Sequence, residues 1–205
     1  ERCGHYVRRP AVRWPGAELA RAPDGALMAV LELPGWAIPN SASPAFMDFG
    51  AVLRPSTGAA LLRVDRLGSR YKLTLGFPPF DDPNHGRVIV SRLIRAKRMG
   101  LRVEMPLLAP QPIEDALVDG AAQAGTTLNV RGLTPRRAVR EGFWLSIEKA
   151  DGQHFLHNIA GEVLADASGK AALPLSELPR WPFTDAARVH LVRPMLEGLV
   201  DGTEQ

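Results

Sequence analysis

The sequence predicts a mainly β fold of the α+β kind: an antiparallel β-sandwich or split-barrel domain with one helix, plus a small β-barrel module of the OB or SH3 type. Three observations lead to this prediction. The 205 residues include 18 prolines and 19 glycines, which favours frequent turns over long helices. Short runs such as 127–131 alternate apolar and polar residues between turn-forming residues, as strands do. One segment, residues 83–99, has both the period and the end signals of a helix.

Changes of pattern along the chain predict three parts. Residues 1–27 are rich in arginine, proline and glycine without periodicity, and we interpret them as a basic flexible arm or as sequence upstream of a start at Met28. Residues 28–110 are expected to form the first β domain, which contains the helix at 83–99 and, before it, a meander from Ala51 to Phe77. Residues 119–200 are expected to form the small barrel. The last strand either stays in that module or returns to the first domain.

The helix prediction depends on the residues at its two ends. Asp82 fits the N-cap and Pro83 the first helical position, where a missing N–H costs nothing. Gly100 lies where a left-handed C-terminal cap is expected. Arg92 falls on the apolar side of the helix, so its side chain must reach solvent or find a partner.

The opposite side of the helix is basic and carries Arg87, Arg95 and Arg98. On a helix packed against a sheet, this is the expected solvated face. The alternative is contact with nucleic-acid phosphates. The formal net charge of the whole chain is only +3, whereas a dedicated nucleic-acid binder has a dense basic face. Binding of nucleic acid is therefore not expected.

Composition excludes several other classes. The single cysteine, Cys3, rules out an internal disulfide and a cysteine-rich metal site. No stretch approaches the length of apolar sequence that a membrane-spanning helix needs, so no membrane span is expected. The N-terminal residues lack the apolar core of a secretory signal, so the chain is expected to fold in the cytoplasm.

No known catalytic pattern is present, and we predict no catalytic residue, no cofactor and no metal ion. His154 and His157 are three positions apart in a predicted strand, so their side chains point to opposite faces and cannot share one metal ion. A second polar cluster is accounted for by the cap of the helix, and it consists of Asp81, Asp82, Asn84 and His85.

Three aromatic side chains are candidates for glycan contact or for an interface: Trp36, Trp144 and Trp181. A glycan-binding face requires that they lie exposed and coplanar in one groove. Large aromatic residues more often belong to the core or to subunit contacts.

Several stretches built of turns and strand cores carry a resemblance to a known family. They include "MAVLELPGWAIPN", "FMDFGAVLRPSTGA", "GRVIVSRLIRAKRMGLRVEMPLL" and "HFLHNIAGEVLADASGKAALPL". Through them, residues 28–201 resemble small tail proteins of siphophages, prophages and gene-transfer-agent-like particles. The resemblance implies a distal-tail or tail-tip structural subunit, made in the bacterial cytoplasm and placed in the virion tail. Such subunits form rings between the tail tube and the hub or fibre. We expect a ring of six copies. The resemblance implies no catalysis.

Two other functions stay open from the sequence. One is a carbohydrate-binding module at a receptor-facing tip. The other is a cell-wall hydrolase, which requires a pocket that contains a carboxylate or a pair of histidines.

Overall fold

The computed structural model describes residues 30–201 except residues 57 and 59. Within that part the protein is mainly β, with a single helix and several antiparallel sheets, which confirms the predicted fold class. The arm predicted for residues 1–27 lies outside the described residues. No helix of the described chain is both long enough and apolar enough to cross a bilayer.

The elements follow one another in two groups. The first group is β1 (Leu31–Glu32), β2 (Ser41–Met47), β3 (Ala51–Leu53), β4 (Leu62–Val64), β5 (Arg70–Gly76), α1 (Pro83–Met99) and β6 (Leu101–Glu104). The second group is β7 (Ala116–Val118), β8 (Thr127–Arg131), β9 (Ala138–Val139), β10 (Trp144–Glu148), β11 (His154–Asn158), β12 (Val163–Leu164), β13 (Ala171–Pro174), β14 (Arg188–His190) and β15 (Met195–Gly198).

The second group contains the apolar core. Six strands form an antiparallel sheet in the order β11-β10-β14-β7-β8-β13, and β9 pairs with β12 beside it. The buried apolar cluster runs from Ile113 to Leu191, and Leu145, Ile147 and Val189 are fully enclosed in it. Alternation on these strands places the apolar residues on the inner face.

The small barrel predicted for residues 119–200 is not closed. β11 and β13 are the two edges of the sheet, and in the described chain they meet through one isolated bridge, between Ile159 and Leu175. Two hydrogen bonds flank that bridge, from Ala160 N to the oxygen of Pro174 at 2.8 Å and from Ser176 N to the oxygen of Asn158 at 2.9 Å. Closure depends on strand tilt and stagger, which alternation along single strands does not specify.

The meander predicted from Ala51 to Phe77 is wrong in its last strand, because β3 and β4 form a hairpin but β5 does not pair with β4. β5 pairs with β2 and β4 pairs with β3, so residues 41–76 form a two-stranded ribbon interrupted once along its length. At the interruption, Asp48 Oδ1 accepts hydrogen bonds from Gly50 N at 2.8 Å and from Ser69 Oγ at 3.3 Å. The interruption is thus an irregularity within one long hairpin and not a turn between strands of a meander.

Helix α1 begins and ends where the sequence predicts. Asp82 Oδ1 accepts a hydrogen bond from Asn84 N at 2.8 Å. Gly100 follows the helix with a φ of 85° and a ψ of 160°, so the expected left-handed helical cap is wrong, although the positive φ still favours glycine. Ile89 and Ala96 are buried on the side of α1 that faces β1 and β6. Arg92 finds the partner it needs, because its guanidinium donates to the backbone oxygen of Glu32.

A three-stranded sheet joins the two groups of elements, in the order β1-β6-β15. β1 runs parallel to β6, with α1 in the connection between them, and β15 runs antiparallel to β6. Leu31 and Gly198 both lie opposite Leu101. β15 also reaches the six-stranded sheet, because Met195 N donates to the buried Ser146 Oγ at 2.9 Å.

Gly142 and Gly169 allow two effects of a glycine substitution to be compared, which are the strain of a positive φ and the steric clash of an added Cβ. Both have a positive φ, 76° at Gly169 and 82° at Gly142. A Cβ at position 169 would lie 2.2 Å from the oxygen of Leu133, whereas a Cβ at position 142 would have no heavy atom within 4 Å. We expect Gly142→Ala to cost about 1–2 kcal/mol from conformation alone, and Gly169→Ala to cost about 1–3 kcal/mol more. Urea unfolding of both variants measures this difference, and equal costs would contradict it.

Candidate functional site

The three predicted tryptophans lie in different surroundings. Trp36 stacks on His85 with 4.0 Å between ring centroids. Trp144 packs edge-on against the tyrosine of β5 at 4.8 Å, and Trp181 lies beneath a lysine ammonium at 4.2 Å from its ring centroid. Among residues 30–201, no two of these indoles stack on each other, so the structure does not bring them into one shared face.

The predicted basic face of α1 is exposed and partly apolar. Arg87 and Arg95 border a shallow depression with Val90 and Ile94, which are 57% and 65% exposed. Arg98 is exposed in the last turn of the helix. No salt bridge links the three arginines to a carboxylate within the described chain. The face therefore offers apolar contact framed by positive charge.

Two histidines and a glutamate meet at one end of the six-stranded sheet. Glu148 ends β10, His154 begins β11 directly opposite it, and His190 ends β14 on the other side of β10. His190 Nε2 lies 3.0 Å from Glu148 Oε2, and the two imidazole centroids are 5.1 Å apart. One ligand atom from each residue lies within 4.8 Å of the others. We call these residues the His–Glu cluster.

The surroundings favour the uncharged form of His154 and the charged form of Glu148. Burial, reinforced by the positive charge of Arg102, lowers the pKa of His154 to about 4. The hydrogen bond from His190 is the main cause that lowers the pKa of Glu148. A neutral imidazole and a carboxylate are the forms that bind metal ions, so these residues could hold one.

An open cleft of about 610 Å³ lies beside the cluster, and Glu148 lines it. The acidic residues that line the cleft are each held by a basic side chain. Glu197 accepts from Arg102 at 2.9 Å, Asp151 from a lysine at 2.6 Å, and Glu148 lies against its histidine at 3.0 Å. These contacts favour positioning roles over general-base roles for the carboxylates.

A second polar group joins the ribbon to the six-stranded sheet. His157 Nδ1 lies 2.7 Å from Glu177 Oε1, and both side chains are almost fully buried. Tyr71 of the ribbon donates through its hydroxyl to the other oxygen of Glu177 at 2.5 Å. Burial, and secondly its bond to Glu177, raises the pKa of Tyr71. Nε2 of His157 is buried without a hydrogen-bond partner in the described chain.

The distal half of the ribbon, residues 49–67, exposes apolar side chains; we call it the ribbon tip. Leu53 and Leu62 pair across β3 and β4 and are 51% and 59% exposed. Nine of the twenty exposed large apolar residues of the described chain lie between positions 41 and 76. They are Phe46, Met47, Phe49, Val52, Leu53, Leu61, Leu62, Val64 and Leu67. No described residue of that segment belongs to the apolar core.

Sequence reasoning found neither the His–Glu cluster nor the exposure of the ribbon tip. In the sequence His154 has only His157 as a histidine neighbour, and the structure does place those two in separate surroundings. The partner His190 comes from a strand 36 positions later that inserts beside β10. No local signal marks that pairing.

No model of a known protein family matches this chain, and no curated protein matches its sequence. What the fold itself defines is a mainly β protein with one helix in its described part.

The bond between Tyr71 and Glu177 gives a stability prediction. Tyr71→Phe removes a donor from a buried charged acceptor, so we expect a loss of about 1.5–3 kcal/mol in the free energy of unfolding. Ser176→Ala is the control, because it removes only an exposed bond to Asn158, and we expect a change within about 0.5 kcal/mol. Chemical unfolding compares the two variants. A loss at Tyr71 no larger than that of the control would contradict this role.

The raised pKa of Tyr71 predicts a dependence on alkaline pH. The unfolded chain releases the phenol proton near pH 10, whereas the folded chain retains it to higher pH. The unfolded state therefore binds fewer protons above about pH 10, and stability falls as pH rises. We expect a steeper fall in the wild type than in Tyr71→Phe, as measured by unfolding between about pH 9 and 11. Parallel curves would contradict this origin.

Proposed function

We propose that this protein is a structural subunit of a phage-like tail. Copies form a ring, proposed to be a hexamer. The ring joins the tail tube to the hub or fibre and catalyses no reaction. The observation that carries the proposal is the ribbon tip, which exposes seven large apolar side chains outside the core. The resemblance of residues 28–201 to tail proteins supplies the setting.

The ribbon needs a partner for physical reasons. A two-stranded ribbon without a covering layer is marginally stable in water, and here both faces of the tip are exposed. Contiguous exposed apolar patches usually mark interaction surfaces. The open edges of the ribbon also offer unpaired backbone groups to a neighbouring chain. A neighbouring chain that covers the ribbon tip would bury its apolar side chains and pair its free backbone groups.

A second copy of the same chain is the partner that we propose. A closed ring uses a heterologous interface, in which one surface of each copy meets a different surface of the next. The depression on α1 provides the second surface, with Val90 and Ile94 exposed between Arg87 and Arg95. We therefore propose that the ribbon tip of one copy packs on α1 of its neighbour.

Complementary variants test this arrangement. Leu62→Glu damages the tip and Ile94→Glu damages the helix surface, so each variant alone should fail to form rings. An equimolar mixture should form a heterodimer and stop there, because one intact tip can meet one intact helix. Analytical ultracentrifugation and negative-stain images measure these species. The matched control is Leu164→Glu, which alters a side chain that is 63% exposed on β12 and should leave rings intact.

Two results would sink the proposed arrangement: rings that persist in Leu62→Glu, or a wild-type protein that stays monomeric at every concentration tested. Circular dichroism of each variant establishes that the fold is retained. Placement in the tail has its own test, which is a particle reconstruction that locates the subunit at the end of the tail tube.

A cell-wall hydrolase is the second candidate, and the cleft beside Glu148 is the observation that favours it. It ranks below the structural role because the carboxylates of the cleft are held by basic partners. The two functions separate on one assay. A hydrolase releases soluble fragments from peptidoglycan and loses that activity in Glu148→Gln, whereas a structural subunit releases none in either form.

A further inference from the structure

We propose that Glu148, His154 and His190 bind one divalent transition-metal ion of the zinc class. The three side chains come from adjacent strands, and their ligand atoms already lie within 4.8 Å of one another. In a tetrahedral zinc site with bonds of about 2.0–2.1 Å, neighbouring ligand atoms lie about 3.4 Å apart. Binding therefore requires side-chain rotations that shorten the widest of these spacings by up to about 1.4 Å.

The donor set selects the class of metal. Two imidazoles and one carboxylate suit zinc and its first-row neighbours, while magnesium and calcium prefer oxygen ligands alone. Three protein ligands leave a position for water, and the cleft lined by Glu148 supplies the space for it.

The groups behind each histidine also fit a metal site. His154 Nδ1 lies 3.4 Å from the buried Ser146 Oγ, which leaves Nε2 to face the ion when Nδ1–H donates to Ser146. His190 Nδ1 lies 3.7 Å from Asp115 Oδ2, while its Nε2 faces Glu148. Asp115 is itself held by backbone N–H groups at 2.8 and 3.0 Å. Metal-bound histidines are commonly oriented by an oxygen on the other ring nitrogen.

The position of the cluster indicates what the ion would do. It ties β11, β10 and β14 together at the end of the sheet that meets β15 and β6. Arg102 of β6 and Glu197 of β15 form an ion pair there at 2.9 Å, and Glu197 also accepts from the backbone of His154 at 3.3 Å. The positive charge of Arg102, which also contributes to the lowered pKa of His154, opposes the ion, and the negative charge of Glu197 partly offsets it. The ion is a clip at the junction of the two groups of elements, and this inference does not rest on the proposed assembly.

Zinc binding by the whole chain tests the inference. Protein treated with a chelator and dialysed should bind one equivalent of Zn²⁺ by calorimetry, and excess Zn²⁺ should raise Tm by about 5–10 °C. Glu148→Gln and His190→Gln should each lose at least about tenfold in affinity, as expected when a ligand is removed. His85→Gln is the control, because His85 lies at the start of α1, packed against Trp36.

A second measurement does not depend on how well the variants fold. Co²⁺ added to the wild type should give the visible absorption of a tetrahedral site with nitrogen and oxygen ligands, and Zn²⁺ should abolish it. The proposal is overturned if the wild type binds no more metal than folded Glu148→Gln. It is equally overturned if Co²⁺ stays octahedral and hydrated, or if His85→Gln alone removes the binding.

Discussion

The six-stranded sheet holds the large apolar core of the described chain, and the first group of elements is attached to it mainly through polar contacts. Burial of apolar surface is the main stabilising force in folding, so the six-stranded sheet contributes most of the stability of the described chain. The ribbon and α1 contribute few buried apolar residues. They are held to the rest of the chain by the backbone pairing of β6 with β15, by the ion pair of Arg102 with Glu197 and by the hydrogen bond from Tyr71 to Glu177.

The six-stranded sheet is therefore the rigid part of the molecule, and the ribbon is the part that offers surface to a partner. Side chains at the end of a packed sheet, such as His154 and His190, have fixed backbones beneath them and can hold a defined geometry. Side chains of the ribbon tip have no such layer and expose surface to a neighbour. Ser146 lies where the two kinds of region meet. Its buried hydroxyl accepts from β15 and approaches His154, so one small side chain couples sheet, junction and cluster.

Local features were predictable from the sequence because their causes are local. The cap at Asp82, the proline after it and the glycine at position 100 fix α1 within one stretch of chain. Strand pairing across long separations was not predictable. The partnership of β2 with β5 and the insertion of β14 between β10 and β7 depend on how whole segments pack. The insertion of β14 also brings His190 to Glu148, so the His–Glu cluster could not be predicted from the sequence.

The order of strands around β6 has a consequence for the connectivity of the fold. Since Leu31 and Gly198 face the same residue of β6 from opposite sides, positions 30 and 199 lie close together in space. A short linker could therefore close residues 30–199 into a circle, with new ends opened in an exposed turn elsewhere. A circularly permuted chain would retain every strand pair while changing the order in which they form. Any domain fused at position 30 or at position 199 would project from the same pole of the molecule.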